Sequence, residues 1–365
     1  MITLVRKTML LIIVLIGVFF PHQNSAQQLK KKTALKNLVG NEIHIDSINA
    51  YLERQMKTHN VPGVSIAIIN DGQPVFHTVK GYANLENKKP ITAHSIFEGA
   101  SLSKPLFAYF VMGFVEDGLL NLDTPLHTYM PYPAIAHDER YKKITARMVL
   151  SHTTGFPNWR SDYKENKLFI AFEPGSSYQY SGEGYQYLAK VLAHLLKTDD
   201  QGLERIYQKK VANPLKLAIT KFVQDQSNLQ NKVKGYKDSK HVSGNDDPKV
   251  FGAAFSIHSE ALDFSKWIIA LMEQKGLSQK SFEQLFETQV VLPEDHPQRQ
   301  TGITDWTLGF AKATLPFGTA YGHGGNNYGY TSLFVVQPES KWGFVIFTNA
   351  DQSSLPLELL QYLMQ

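Results

Sequence analysis

Apolar strands stand in pairs near both ends of this chain, and this constrains its fold more than any other feature. Val64 to Ile69 is an apolar stretch, Asp71-Gly72 is a tight-turn signal, and Pro74 to Lys80 supplies the returning strand. Far downstream, Leu333 to Val336 and Phe344 to Phe347 flank Pro338-Glu339-Ser340-Lys341, which reads as a second hairpin. The region between is mostly helical in pattern. Asp46 to about Thr58 reads as a leading helix with Ile45, Ile48, Leu52 and Met56 on one side, and Leu355 to Leu363 as a closing one. If the two ends join in one antiparallel sheet, the middle is a second lobe inserted into a sheet domain. The expected fold is therefore α/β of the α+β kind: an antiparallel sheet flanked by helices, with an inserted, mostly helical lobe. The sheet lobe is expected at about 45–100 and 250–365, and the helical lobe at about 101–249.

Composition narrows the function. The chain has 365 residues, 43% of them hydrophobic, enough for a large core. Its 37 basic against 33 acidic residues give +4, too little to imply a nucleic-acid partner. The basic run Lys30-Lys31-Lys32 reads as a solvated tether inside a flexible linker spanning residues 27–44. Residues 1–26 read as a signal peptide. Arg6 and Lys7 precede an apolar run from Met9 to Phe20 that Pro21 breaks. The run is too short to span a bilayer comfortably, so the mature protein is expected to have no membrane span and a periplasmic or secreted location. There is no cysteine, which excludes a cysteine nucleophile and disulfides. The 13 histidines contain no H-x-x-x-H pair, and neither a metal nor a cofactor is expected.

The chemistry enters at Ser101-Leu102-Ser103-Lys104, an S-x-x-K opening a stretch with a helical apolar stripe at Phe107, Phe110, Val111 and Phe114, with Gly118 at a C′ stop. Side chains three apart on a helix share a face, so Lys104 is expected beside Ser101. A serine hydroxyl needs a neighbouring base to become a nucleophile, and a lysine can serve once desolvation or nearby charge lowers its pKa. The α/β-hydrolase elbow G-x-S-x-G is nearly present at Gly99 to Ser103, but its last glycine is a serine.

Three further blocks follow in order: Leu150-Ser151-His152-Thr153-Thr154-Gly155, Pro174-Gly175-Ser176-Ser177-Tyr178-Gln179-Tyr180-Ser181-Gly182, and Gly322-His323-Gly324-Gly325. The ordered set resembles the penicillin-recognising serine hydrolases, in the branch of class C β-lactamases, D-alanyl-D-alanine carboxypeptidases and related esterases and D-aminopeptidases. The resemblance covers roughly residues 45 to 350. It implies that Ser101 is the nucleophile, that Lys104 and Tyr180 share the proton traffic, and that the N–H groups of Ser101 and Asn326 form an oxyanion hole. It also implies a substrate-binding strand at His323, Gly324 and Gly325, and a cleft between two lobes. A lysine ammonium beside Tyr180 would lower the phenol's pKa. Glycine at 182 departs from the asparagine of relatives and weakens the expectation of β-lactam or peptide turnover. His323, where many relatives keep a lysine, is expected to titrate near 6.5 and to grip a substrate carboxylate better at lower pH. Trp159 is placed at the substrate entrance, although a rim or core position fits it equally. His152 reads as scaffold, and Glu173 as a turn residue.

Two classes of function remain at this point. One is a secreted serine hydrolase acting through an acyl-enzyme on a small-molecule or peptide ester, amide or β-lactam. The other is a non-catalytic member of the fold that binds cell-wall peptides or assembles.

Overall fold

The computed structural model describes residues 33–244 and 247–365. The expected signal segment, 1–26, lies outside them, as do residues 27–32 of the expected linker. The rest of that linker is a correction. Residues Ala34–Lys36 and Glu42–His44 pair as a small antiparallel hairpin, and Leu35 and Leu38 are buried under it. The polar composition of the stretch concealed its two apolar anchors.

The main strands are β1 (Gly63–Asn70), β2 (Gln73–Asn84), β3 (Phe97–Ala100), β4 (Ile257–Ser259), β5 (Ala311–Leu315), β6 (Gly318–Asn327), β7 (Tyr330–Gln337) and β8 (Trp342–Thr348). A nine-stranded antiparallel sheet runs from Val290–Val291 and Asp305–Trp306 through β5, β6, β7, β8, β1 and β2 to Lys89–Pro90. The two ends of the chain meet at β8 and β1, with Val345 opposite Ala67 and Ile346 opposite Ile66. The Asp71-Gly72 turn has both residues at positive φ, 52° and 70°, the twist that a two-residue hairpin needs.

Strand alternation explains the burial of this central sheet on both faces. Val64, Ile66 and Ile68 of β1 face one apolar cluster, together with Ile48 and Leu52 of helix α1 (Ile45–Thr58) and Leu355 and Leu359 near the C-terminus. Ala67 and Ile69 face the larger cluster on the other side. That cluster takes in helix α2 (Ser103–Glu116), helix α3 (Gly182–Leu195) and helix α4 (Ala261–Met272). The sequence stripe on α2 understates its burial. Nearly every residue from Ser103 to Phe114 is buried, so α2 is a central helix rather than an amphipathic surface one. Gly118 lies two residues beyond the last helical residue at φ +70°, the expected left-handed stop. Among the described residues no helix is long and apolar enough to cross a membrane.

Candidate active site

A short two-stranded ladder carries the S-x-x-K to the sheet. Strand β3 pairs with β4, and Ser332 Oγ of β7 donates to Gly99 O at 2.8 Å. The chain then turns sharply. Ala100 sits at φ +49°, a conformation that costs a non-glycine residue and persists only where its surroundings enforce it. Ser103 supplies that enforcement: its Oγ donates to Ala100 O at 2.6 Å and accepts from the Ile257 N–H at 2.9 Å. Ser101 therefore stands in the turn before α2, partly exposed, rather than in the first helical turn.

Lys104 lies one helical step on, fully buried. Its Nζ is 3.1 Å from Ser101 Oγ and donates to Ala254 O at 2.8 Å. The rings of Tyr180 and Tyr185 lie 4.6 and 5.7 Å from the same nitrogen. Burial pushes the Lys104 pKa well below its ordinary value. A neutral amine fits the contacts, with one N–H on Ala254 O and its lone pair towards the Ser101 hydroxyl.

Tyr180 hydrogen-bonds to Ser101 through its hydroxyl, but burial raises its pKa above the ordinary phenol value. This corrects the expectation of a phenolate stabilised by an ammonium. The burial that lowers Lys104 disfavours the ammonium that would have stabilised the phenolate. Tyr180 stays a phenol, able to donate a proton and to take one up in exchange.

His323 also departs from expectation. It sits on β6 with Nδ1 donating to Gly324 O at 2.6 Å, and its ring lies 5.9 Å from Tyr180 and 5.5 Å from Trp306. Burial, then the proximity of Lys104, lowers its pKa to about 3. It supplies no cation between pH 5 and 8. Its Nε2 has no partner among the described residues.

Gly325 brings β6 up to Ser101. A Cβ there would meet Ser332 Oγ at 2.4 Å, Gly99 O at 2.5 Å and Ser101 N at 3.1 Å. Gly324, by contrast, has open space, with only Ser332 O at 4.0 Å. The Asn326 side chain is turned away to accept from Thr331 Oγ1 at 3.2 Å and Gln352 N at 2.8 Å.

His152 follows the short helix Ala146–Leu150 at φ +60°, buried, with Nδ1 accepting from the Ser181 N–H at 3.1 Å. Its ring packs 4.4 Å from Tyr180. Glu173 is at the surface, paired with Lys143 at 2.5 Å in a turn closed by Ser176 N on Glu173 O.

The family model for Beta-lactamase matches residues 48–363. The chain belongs to the beta-lactamase family. In keeping with that family, its fold resembles an octameric penicillin-binding protein homologue from Pyrococcus abyssi, with a TM-score of 0.74 at 21% identity over 88% of this chain and 78% of that one. It also resembles the D-alanine carboxypeptidase AmpC from Burkholderia cenocepacia, with a TM-score of 0.72 at 18% identity over 87% of this chain and 99% of that one. Among curated relatives, Protein flp of Staphylococcus aureus strain MRSA252 is 21% identical over 87% of this chain. This chain spans 65% of the length of that protein. The bovine mitochondrial serine beta-lactamase-like protein LACTB is 31% identical, but over 33% of this chain and 22% of its own length.

Sequence reasoning missed three contributors. Ser103 fills an unspecified position of S-x-x-K. Ala254 contributes only a backbone carbonyl, which carries no sequence signal. Trp306, whose ring lies 5.0 Å from His152 and 6.0 Å from Tyr180, stood outside every motif.

Proposed function

We propose that this protein is a serine hydrolase that cleaves esters, and amides less readily, through an acyl-enzyme on Ser101. The observation that carries the reading is the fully buried Lys104 with Nζ 3.1 Å from Ser101 Oγ. Neutral Lys104 takes the Ser101 proton as Oγ attacks the substrate carbonyl. The carbonyl oxygen becomes an oxyanion that the N–H groups of Ser101 and Asn326 stabilise. Collapse breaks the bond to the leaving oxygen. Tyr180 gives its proton to that oxygen and regains one from the Lys104 ammonium. Water repeats the sequence in reverse, releasing the acid and restoring Ser101 and neutral Lys104.

Amides remain the second substrate class, supported by the name of the carboxypeptidase structural relative. Glycine at 182 weighs against efficient β-lactam turnover. A non-catalytic role fits poorly with a lysine kept dry against a serine, since burying an amine is costly without a task. A periplasmic or secreted location is part of this reading and rests on the pattern of residues 1–26.

Ser101→Ala should abolish hydrolysis of p-nitrophenyl acetate while leaving the circular dichroism spectrum unchanged. Loss of a nucleophile costs several decades of rate. Activity above about a tenth of wild type would remove Ser101 from the role.

A further inference from the structure

Gly182 explains itself once Trp159 is considered. A Cβ built at Gly182 would fall 2.5, 2.6 and 2.8 Å from Cη2, Cζ2 and Cζ3 of Trp159. Real Cβ atoms do not approach that closely, so the indole occupies the space that any side chain at 182 would need. The tryptophan is held there from both sides. Gly182 N donates to Asn158 O and Oδ1, both at 3.1 Å, and Ser181 Oγ donates to Pro157 O at 2.8 Å. Arg160 N and Nε donate to Glu183 Oε1 at 3.0 and 2.8 Å, and Arg160 Nη2 to Glu183 Oε2 at 2.5 Å. The loop on either side of Trp159 is thus stitched to the first turn of α3.

The indole meets Phe255 edge to face at 5.7 Å. Together with Tyr328 these rings line a cleft of about 370 Å³ that Asn326 also borders. Of its polar residues, Glu98, Asn326 and Asn327 are already committed, and Ser161 stands exposed at the rim. Glu98 pairs with Lys232 at 2.6 Å and accepts from Asn327 Nδ2 at 2.6 Å, and Asn327 Nδ2 also reaches Phe255 O. The apolar surface left to a ligand is aromatic, contributed by Trp159, Phe255 and Tyr328.

We propose that Trp159, Phe255 and Tyr328 form an aryl-acyl subsite, and that Trp159 over Gly182 selects esters whose acyl group carries an aromatic ring. This rests on the acyl-enzyme reading above. In that reading the leaving oxygen faces Tyr180, which does not line the cleft. The substituent that reaches the cleft from a carbonyl beside Asn326 is therefore the acyl group.

The test compares kcat/KM for p-nitrophenyl phenylacetate and p-nitrophenyl acetate on the full-length protein. Wild type should prefer the phenylacetate. Trp159→Ala should lower the phenylacetate-to-acetate ratio by roughly tenfold or more, the discrimination an apolar pocket can supply. Gly182→Ala should lower it too, because the new methyl must displace the indole. Tyr328→Ala, at a residue 45% exposed, reports on the same cleft with little risk to the fold. An unchanged ratio in all three variants, with Ser101-dependent hydrolysis of both esters intact, overturns the subsite and spares the acyl-enzyme. A second measurement needs no turnover: calorimetric titration of Ser101→Ala with phenylacetamide and with acetamide. Saturable binding of phenylacetamide alone, weakened by adding Trp159→Ala, supports the subsite even if the esterase reading fails. Equal binding of the two amides, or none, overturns it.

Discussion

At the scale of single residues, one physical cause sets the charge of the site: burial of the groups around the partly exposed Ser101. Burial lowers Lys104, raises Tyr180 and lowers His323, so each shift favours the neutral form. The pH dependence follows. For a neutral ester, kcat/KM should rise with pH as Lys104 loses its proton, with a midpoint below the ordinary lysine value of 10.5. No alkaline loss from Tyr180 is expected up to its ordinary 10.0, because its own value is shifted upwards. An alkaline limb between pH 8 and 10 that disappears in Tyr180→Phe would contradict this assignment. His323 gives a second outcome. Between pH 5 and 8, KM values for a matched carboxylate-bearing and neutral ester should change in parallel, because a histidine held at about 3 does not titrate there. A selective gain for the acid below pH 6.5 would restore the carboxylate-reading role expected from sequence. The identities of Ser101, Lys104, Tyr180 and His323 were legible because each sits in a motif. Their protonation was not, because Trp306 and the Ala254 segment approach the group from remote parts of the chain.

At the scale of elements, the position of Ser101 depends on a turn between β3 and α2 that three contacts hold. Hairpins and helix ends were legible because turn residues and apolar periodicity are local signals. The β3–β4 ladder was not, since four residues around Phe97 and three around Ile257 carry no pairing code visible along the chain. Ser103 is the hinge of that ladder. Ser103→Ala would strand the buried Ile257 N–H and release Ala100 O, and an unsatisfied buried group costs about 1–3 kcal/mol. A melting temperature lower by several degrees is expected, since about 1 kcal/mol moves a domain of this order by roughly 2–4 °C. Relaxation of Ala100 from φ +49° would also move Ser101 off Lys104, so kcat should fall by about tenfold or more. A thermal melt and steady-state kinetics on one preparation check both effects. Unchanged values in both would mean that the turn is held without Ser103.

At the scale of the whole molecule, the joining of β8 to β1 makes the fold a closed unit with cores on both faces of its sheet, and ionisable groups inside those cores couple folding to pH. His323 is held at about 3 and His258 at about 4, both chiefly by burial, and His152 is also lowered. In the unfolded chain each would titrate near 6.5. The sign follows directly. Below 6.5 the unfolded state takes up protons that the folded state refuses, so stability rises with pH across this window and is lost as pH falls from about 6.5 towards 4. Glu204 acts in the opposite direction. Burial raises it to about 7, so the folded state keeps a proton that the unfolded chain releases above its ordinary 4.5. Three histidines outweigh one carboxyl, and the net slope remains positive. Carboxylates held low by partners, such as Asp123 and Asp138, add their losses only at more acid pH. Thermal melts from pH 7.5 to 5.0 should therefore show a continuous decline, to which the lowered Lys104 adds in the same direction and which steepens below about 6.5. Glu204→Gln should steepen the decline by removing the opposing group. A melting temperature that is flat or rises over this range would mean that the buried histidines gain compensating partners on protonation, and the dry-site account of Lys104 and His323 would have to be withdrawn with them.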